Sequence, residues 1–500
     1  MTGAKISLFF GAGAEIGYGL PSGGKFALDL FRTPVDEDKA EFRKQLEKIN
    51  NTSTYAVKWL PNDYQKKRVH VFGRGDYEAI VASSLENRRE EILSYLDNFD
   101  HGVHNLLKNW HISEDELRAK FKKETDIEIG DILYGQAVKL NNRLADSVKL
   151  FESSFFSAML KTLESNPEHR KLQRTIRAIL ELLVGSCGQR LISKLNEELF
   201  ESAPERLSVF DDLSGIFSLD YRNVGQTGME IVLEEKPHAV SANSSLEEIM
   251  AELGRTVLED IYSKSIDYQA LIDSHFRYLY NPKAHWAKFT RISIFLHTVR
   301  RYISSHSNID PDKIANGPGY YHDLLSLSKY ATITAIGTTN YNSFAEQVLD
   351  NTTLSSVPVF HLNGSVSEFY DPYCNNILIN PTEQQLASYE HIVVPFIFTQ
   401  SGIKPLTSIT MSKRYVELYD KFRESDIICI IGYGFNGDDG HINGLFRSLA
   451  VEGKRLAILH YGNKNESTLK KEYQAKLRLL SSDNLDVFTI NDDRLNHGKI

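Results

Sequence analysis

The chain has 500 residues, 41% of them apolar and 25% charged, with a net charge of −9 and a pI near 6.0. That length exceeds one ordinary core and implies two to four domains. The balance is that of a folded globular protein, and the negative charge supplies no overall field for holding nucleic acid. Three cysteines, Cys187, Cys374 and Cys429, stand far apart with no C-x-x-C pair, which excludes a disulfide framework and a four-cysteine zinc site and favours a reducing compartment.

The first apolar run, "KISLFF" (5–10), reads as a buried strand and breaks at once into glycines. It is shorter than the apolar core of a signal peptide, and no segment offers about 18 uncharged apolar residues for a membrane span, so a cytoplasmic location is expected. The middle of the chain is helical in pattern. In 169–185, Leu172, Ile176, Ile179, Leu180 and Leu183 share one helix face. The 244–261 stretch opens with a capping box, Ser245 with Glu248, and repeats Leu246, Met250, Leu253, Val257 and Ile261. Similar spacing runs through 86–110, 136–165 and 286–305, while 208–240 reads as a loop or a small hairpin.

From about Ser326 onward, short apolar runs alternate with helical patterns. "YATITAIG" (330–337), "VPVFHLNG" (357–364), "DIICIIGYG" (426–434), "RLAILHYG" (455–462) and "LDVFTIN" (485–491) read as strands; 411–425, 441–453 and 467–482 read as helices. Strands apolar on both faces and separated by helices imply a parallel sheet covered on both sides. The expected fold is therefore α/β: a Rossmann-like, doubly wound parallel sheet of about six strands. Segments 1–34 and 326–500 would form it, and 35–325 would be a large, mostly α-helical insertion.

A strand that ends in Gly-x-Gly and feeds a helix can bring bare backbone up to a phosphate, because no Cβ stands in the way. Gly11, Ala12 and Gly13 fit that task, although the spacing is not the G-x-G-x-x-G fingerprint and a glycine-rich turn can be purely steric. Polar loops follow three other strands: "GTTNYNSF" (337–344), "HLNGS" (361–365) and "GYGFNGDD" (432–439). Ligands of open parallel sheets bind outside the carboxyl ends of the strands, so these loops should gather at one crevice. Each has a plainer reading too. Asn340 could cap the next helix, His361 could be a hydrogen-bonded structural histidine, Glu15 could be a ribose contact or a helix-start carboxylate, and Asp438 and Asp439 read as solvated loop carboxylates.

In order and placement these motifs resemble the sirtuins, and more closely the bacterial sirtuin-like proteins of anti-phage defence. "GAGAEIGYGLPSG" is similar to the family's opening loop with its later Gly-Leu/Ile-Pro. "TTNYN" stands where sirtuins carry Thr-Gln-Asn-Ile-Asp, "HLNGS" where they carry His-Gly, and "IIGYGF" resembles the strand and loop that hold the adenosine ribose. The resemblance implies cleavage of the nicotinamide–ribose bond of NAD. It makes Asn340 the residue that positions water or the ribose, and His361 the base on the ribose hydroxyls. Gly11, Ala12 and Gly13 would lie near the pyrophosphate, with Thr338 and Thr339 beside them; Glu15 and Pro21 belong to the same loop, and Gly432, Tyr433 and Gly434 to the adenosine side.

Three departures qualify it. The stretch 370–390 has one cysteine, so the zinc ribbon of protein-deacylating sirtuins cannot form and no metal is expected. Asn342 replaces a frequent aspartate, and Ser22-Gly23-Gly24 replaces a Phe-Arg pair. The implied activity is an NAD glycohydrolase with water as nucleophile, an NAD-depleting antiviral effector whose insertion serves self-association or the sensing of a partner protein or nucleotide. The alternatives are an NAD-dependent deacylase or ADP-ribosyltransferase, and a nucleotide-binding sensor without catalysis.

Overall fold

The structure is a computed structural model and describes residues 3–21, 23–133, 139–140, 149–187, 200–202, 225–234, 238–266, 274–306, 311–397 and 408–495. The chain divides into two compact units: Met1–Ser22 with Thr33–Phe72 and Gln269–Ile500, and Gly23–Arg32 with Gly73–Tyr268. The helices Asp36–Lys48, Thr54–Trp59 and Trp286–His306, which the sequence groups with the insertion, belong to the first unit, and the helix Gly23–Arg32 to the second.

The strands of the first unit, in chain order, are β1 (Lys5–Phe10), β2 (Thr332–Thr338), β3 (Val359–His361), β4 (Gly364–Asp371), β5 (Asn376–Ile379), β6 (Val394–Ile397), β7 (Ile427–Ile431), β8 (Arg455–Tyr461) and β9 (Leu485–Ile490). Six form one parallel sheet in the order β9-β8-β7-β1-β2-β3. All six match strands expected from sequence: β1 coincides with 5–10, β2 starts later and ends one residue past 330–337, and the other four are shorter than expected. β1 is buried on both faces: Phe9 joins a core with Leu418, Phe422 and Phe446, and Leu8 and Phe10 join another with Tyr321, Ile336 and Phe344. That double burial is why the strand carries no polar alternation beyond Ser7.

Strand order reverses at β1, so the boundary between β1 and β7 is the topological switch point. Register brings the strand ends level. Phe10 pairs with both Thr338 and Ile431, and Thr338 pairs with His361. Four loops therefore leave the sheet side by side.

Sequence reasoning missed the small antiparallel sheet β5-β4-β6. β4 starts directly after β3, with no helix between them to announce a second sheet. The 208–240 stretch holds a helix, Gln226–Glu234, while its parts 208–224 and 235–237 lie outside the described residues. Of 136–165, the described portion includes the helix Ser154–Ser165.

The second unit is built of helices around its own core, with Phe156, Ile176, Ile179, Met250, Leu253 and Val257 among its buried residues. The helix Leu246–Ser265 starts with the expected capping box, Ser245 and Glu248 exchanging backbone and side-chain bonds. Within it Arg255 is buried between Glu252 and Glu259, at 2.6 and 2.7 Å, and Arg32 joins Glu259 at 3.1 Å. Among the described residues no helix is long and apolar enough to cross a membrane.

Gly24 is explained by packing. A Cβ there would sit 1.7 Å from the Ser263 backbone oxygen, so the helices Gly23–Arg32 and Leu246–Ser265 meet backbone to backbone. Alanine at Gly24 would gain about 1 kcal/mol of helix propensity and would force apart two backbones, an overpacking cost of about 1–3 kcal/mol or more. Gly24→Ala is expected to lower the thermal unfolding midpoint followed by circular dichroism. An unchanged or raised midpoint would contradict this close approach.

Candidate functional site

At the switch point the loops after β1 and β7 mesh through their backbones. Gly11 N–H donates to the Ile431 carbonyl at 2.9 Å, and Gly13 N–H to the Gly432 carbonyl at 3.0 Å. A Cβ on Gly11 would lie 2.4 Å from the Gly432 oxygen; one on Gly432, whose φ is +67°, would lie 2.1 Å from the Ala14 nitrogen. These glycines are thus demanded by contact between two loops. The N–H groups of Gly11 and Gly13, which the sequence reading aims at a phosphate, are spent inside the protein. Ala12 and Gly13 lie exposed at the rim.

Beside this seam, three loops are tied by one buried network. The Asn340 amide Nδ2 donates to the Gly11 carbonyl at 3.3 Å and to the Tyr321 hydroxyl at 3.4 Å. Tyr321 donates to Glu15 Oε1 at 2.6 Å, and Asn342 Nδ2 donates to Glu15 Oε2 at 2.6 Å. Glu15 is 3% exposed and Asn340 5%. Burial pushes the Glu15 carboxyl up to about 7, against hydrogen bonds from Tyr321, Asn342 and Asn340 that favour its charged form. Asn340 is not a helix cap. The helix Phe344–Leu349 has Ser343 at its cap position, and Asn342 just before it accepts from the Phe344 N–H at 3.1 Å through Oδ1.

His361 sits at the end of β3 with both ring nitrogens engaged. Nδ1 is 2.8 Å from the Asn340 carbonyl, and Nε2 is 2.7 Å from Glu346 Oε1. A carbonyl and a carboxylate are both acceptors, so this geometry fits an imidazolium that donates from both nitrogens to an ionised Glu346. Burial alone would pull the imidazole down, but Glu346 and the Asn340 carbonyl outweigh it and hold the group above its ordinary value. Burial likewise opposes the Glu346 charge, and the His361 bond holds that carboxyl below its usual range. A ring already protonated at both nitrogens cannot accept a proton, so the role of base is open to His361 once Glu346 lets go. Arg414 fixes this strand end, donating to the His361 carbonyl at 2.7 Å and pairing with Glu368 at 2.5 Å.

The remaining sequence candidates are placed more loosely. Thr338 Oγ1 donates to the Phe10 carbonyl and accepts from the Asn340 N–H, and the Thr339 N–H donates to Phe10 as well, so both stiffen the turn. The Tyr433 ring packs against Phe9 and Phe435 and its hydroxyl donates to Asn443, so the side chain is part of the core. Gly434 is exposed and Pro21 half-buried. Asp439, read from sequence as solvated, is fully buried. Sequence reasoning missed Tyr321 and Glu346. Tyr321 lies outside every strand-end loop, and Glu346 lies in the first turn of the short helix Phe344–Leu349, past the end of the strand-end motif.

No family model matches the chain, and no curated protein matches it. Among solved structures, the chain is similar to Sir2 in complex with the inhibitor EX-527, 2′-O-acetyl-ADP-ribose and a deacetylated p53 peptide, at 14% identity over 40% of this chain and 75% of that one, with a TM-score of 0.25. A structure concerned with sirtuin substrate affinity matches at 15% identity over 34% and 71%, TM-score 0.22. One concerned with the mechanism and regulation of Sir2 enzymes matches at 13% over 40% and 76%, TM-score 0.24.

The His361–Glu346 pair makes a pH-dependent prediction. Glu346's share of the stability is lost as pH falls through its lowered folded value, below 4.5; His361's share is lost as pH rises through its raised value, above 6.5. Glu346 is 42% exposed, so solvent screening limits the pair to about 1 kcal/mol or less. Glu346→Gln should cost most between pH 4.5 and 6.5 in denaturant unfolding and progressively less at higher pH. It should also lower the His361 midpoint in an NMR titration; an unmoved midpoint would refute the pairing.

Proposed function

We propose that this chain is an NAD glycohydrolase that splits NAD into nicotinamide and ADP-ribose. The reading rests on the motif resemblance and is carried by one observation: Gly11, Glu15, Asn340 and His361, from three separate strand-end loops, belong to one connected hydrogen-bond network.

Nicotinamide is a good leaving group, so the protein's main work is to orient the ribose and favour a cation-like transition state. Water oxygen bonds to the ribose C1′ as the bond to the nicotinamide nitrogen breaks, its electron pair departing with the ring. Glu15, held by Tyr321 and Asn342, supplies negative charge in the molecules in which it is ionised, about half of them at neutral pH for a carboxyl near 7. Asn340 orients the ribose or the water. His361 becomes a base when the displaced Glu346 carries away the Nε2 proton; the freed nitrogen then faces a ribose hydroxyl and takes up, through it, the proton that the attacking water loses. Ala12 and Gly13 form the exposed rim toward the pyrophosphate, and Gly432 and Gly434 border the adenosine side.

An enzyme that empties a cell of NAD has to stay silent until it is needed. We place the silencing in the segment between 35 and 325, through self-association or the sensing of a partner protein or nucleotide, and place the enzyme in antiviral defence in the cytoplasm. The missing four-cysteine ribbon argues against acyl-lysine peptides as substrates and so favours water.

NAD followed by chromatography, with the purified chain alone and with candidate activators, tests this. Nicotinamide and ADP-ribose should appear in equal amounts, and His361→Ala and Asn340→Ala should each cut turnover by about 100-fold or more. Glu15→Gln should lower it as well. Undiminished turnover in the first two variants would refute the site assignment. Release that requires an acyl-lysine peptide would select the deacylase, and calorimetric binding without product the sensor.

A further inference from the structure

The hairpin that joins β4 to β5 brings together three side chains with the chemistry of a metal shell. Asp371 ends β4, Cys374 lies in the turn, and His391 comes from the segment before β6. Their ligand atoms all lie within 4.8 Å of one another. His391 Nδ1 is 2.7 Å from Asp371 Oδ2 and 3.8 Å from Cys374 Sγ.

The carboxylate is preset. Asp371 is fully buried, and its Oδ1 accepts from the Tyr373 and Cys374 N–H groups at 2.8 and 3.2 Å. That turn aims Oδ2 at His391, with the Tyr389 hydroxyl 2.9 Å away. The imidazole is walled by aromatic rings, its centroid 4.2 Å from Tyr55, 5.1 Å from Tyr373 and 5.7 Å from Tyr389. Packing on several sides and a carboxylate tied by backbone leave two of the three groups with little freedom. Cys374 is exposed, which opens the cluster to solvent on one side.

We propose that Asp371, Cys374 and His391 bind one divalent cation of the zinc class. One thiol, one imidazole and one carboxylate suit a borderline-soft ion; calcium and magnesium would require an oxygen shell. A tetrahedral ion with bonds of about 2.0–2.3 Å sets neighbouring ligand atoms about 3.3–3.8 Å apart; the Cys374–His391 spacing of 3.8 Å fits, and the 2.7 Å Asp371–His391 hydrogen bond has to open to admit the ion. Binding releases the Cys374 thiol proton to solvent as the sulfur–metal bond forms, the proton that His391 Nδ1 shares with Asp371 leaves that nitrogen as the nitrogen–metal bond forms, and the fourth position is left to water. The ligand set is not the four cysteines whose absence removes the sirtuin ribbon. The ion would tie the β4–β5 turn to the segment entering β6, and the proposal does not depend on NAD chemistry.

The test uses the full chain, stripped with a chelator and titrated with zinc or cobalt alone. One equivalent should bind per chain by elemental analysis. The cobalt form should show a near-ultraviolet thiolate-to-cobalt band with tetrahedral visible bands. Cys374 is on the surface, so Cys374→Ser should fold normally, lose the band and bind zinc at least about tenfold more weakly; Cys429→Ser should keep the band. Absence of stoichiometric uptake by the folded chain, or a band that survives in Cys374→Ser, would overturn the site.

Discussion

The strand-end hydrogen-bond network depends on the close contact between the loops after β1 and β7. The parallel sheet aligns Phe10 with Ile431, and from there the two backbones run on into each other, Gly11 to Ile431 and Gly13 to Gly432. Any side chain at Gly11 or Gly432 would strike backbone rather than a movable atom. The seam fixes where Glu15 begins its turn, and hence where its carboxylate meets Tyr321 and Asn342. Loop glycines that look like ligand-contacting residues are here first a condition of assembly, and whatever room a phosphate finds lies beyond them.

Two positions set the charge of this network, Glu15 in the loop after β1 and Asn342 in the loop after β2. The two side chains hydrogen-bond each other at 2.6 Å. Burial raises the Glu15 carboxyl, and the hydrogen bonds from Tyr321 and Asn342 oppose that rise, which leaves it at about 7.

Much of the architecture was legible because it is written in periodicity. Two-faced apolar strands separated by helical spacing specify a covered parallel sheet, and the six strands follow. The level at which the loops emerge also follows, since each motif comes directly after an apolar run. Three features were not legible, for separate reasons. The β5-β4-β6 sheet has no intervening helix to set it off from β3. Helices such as Asp36–Lys48 and Trp286–His306 carry the same amphipathic signal in either unit, so the sequence could not say which core they complete. Glu346 and Tyr321 act through tertiary proximity, and Tyr321 meets Glu15 across a separation of 306 residues.

The state of His361 decides more about the site than its identity does. Both partners of the ring are acceptors, so the arrangement is self-consistent with a proton on each nitrogen and a charge on Glu346. Such a pair is electrically neutral as a whole and chemically idle: the ring has no lone pair to offer, and the carboxylate is occupied. Idleness is reversible at modest expense, because Glu346 is partly exposed and a partly exposed ion pair is worth about 1 kcal/mol or less. If Glu346 departs with the Nε2 proton, that nitrogen is left with a lone pair for a ligand hydroxyl. Asn340 keeps hold of Nδ1 meanwhile, so the ring stays aimed while its other face changes partner, and the same residue that the motif marks for the ribose also preserves the orientation of the imidazole.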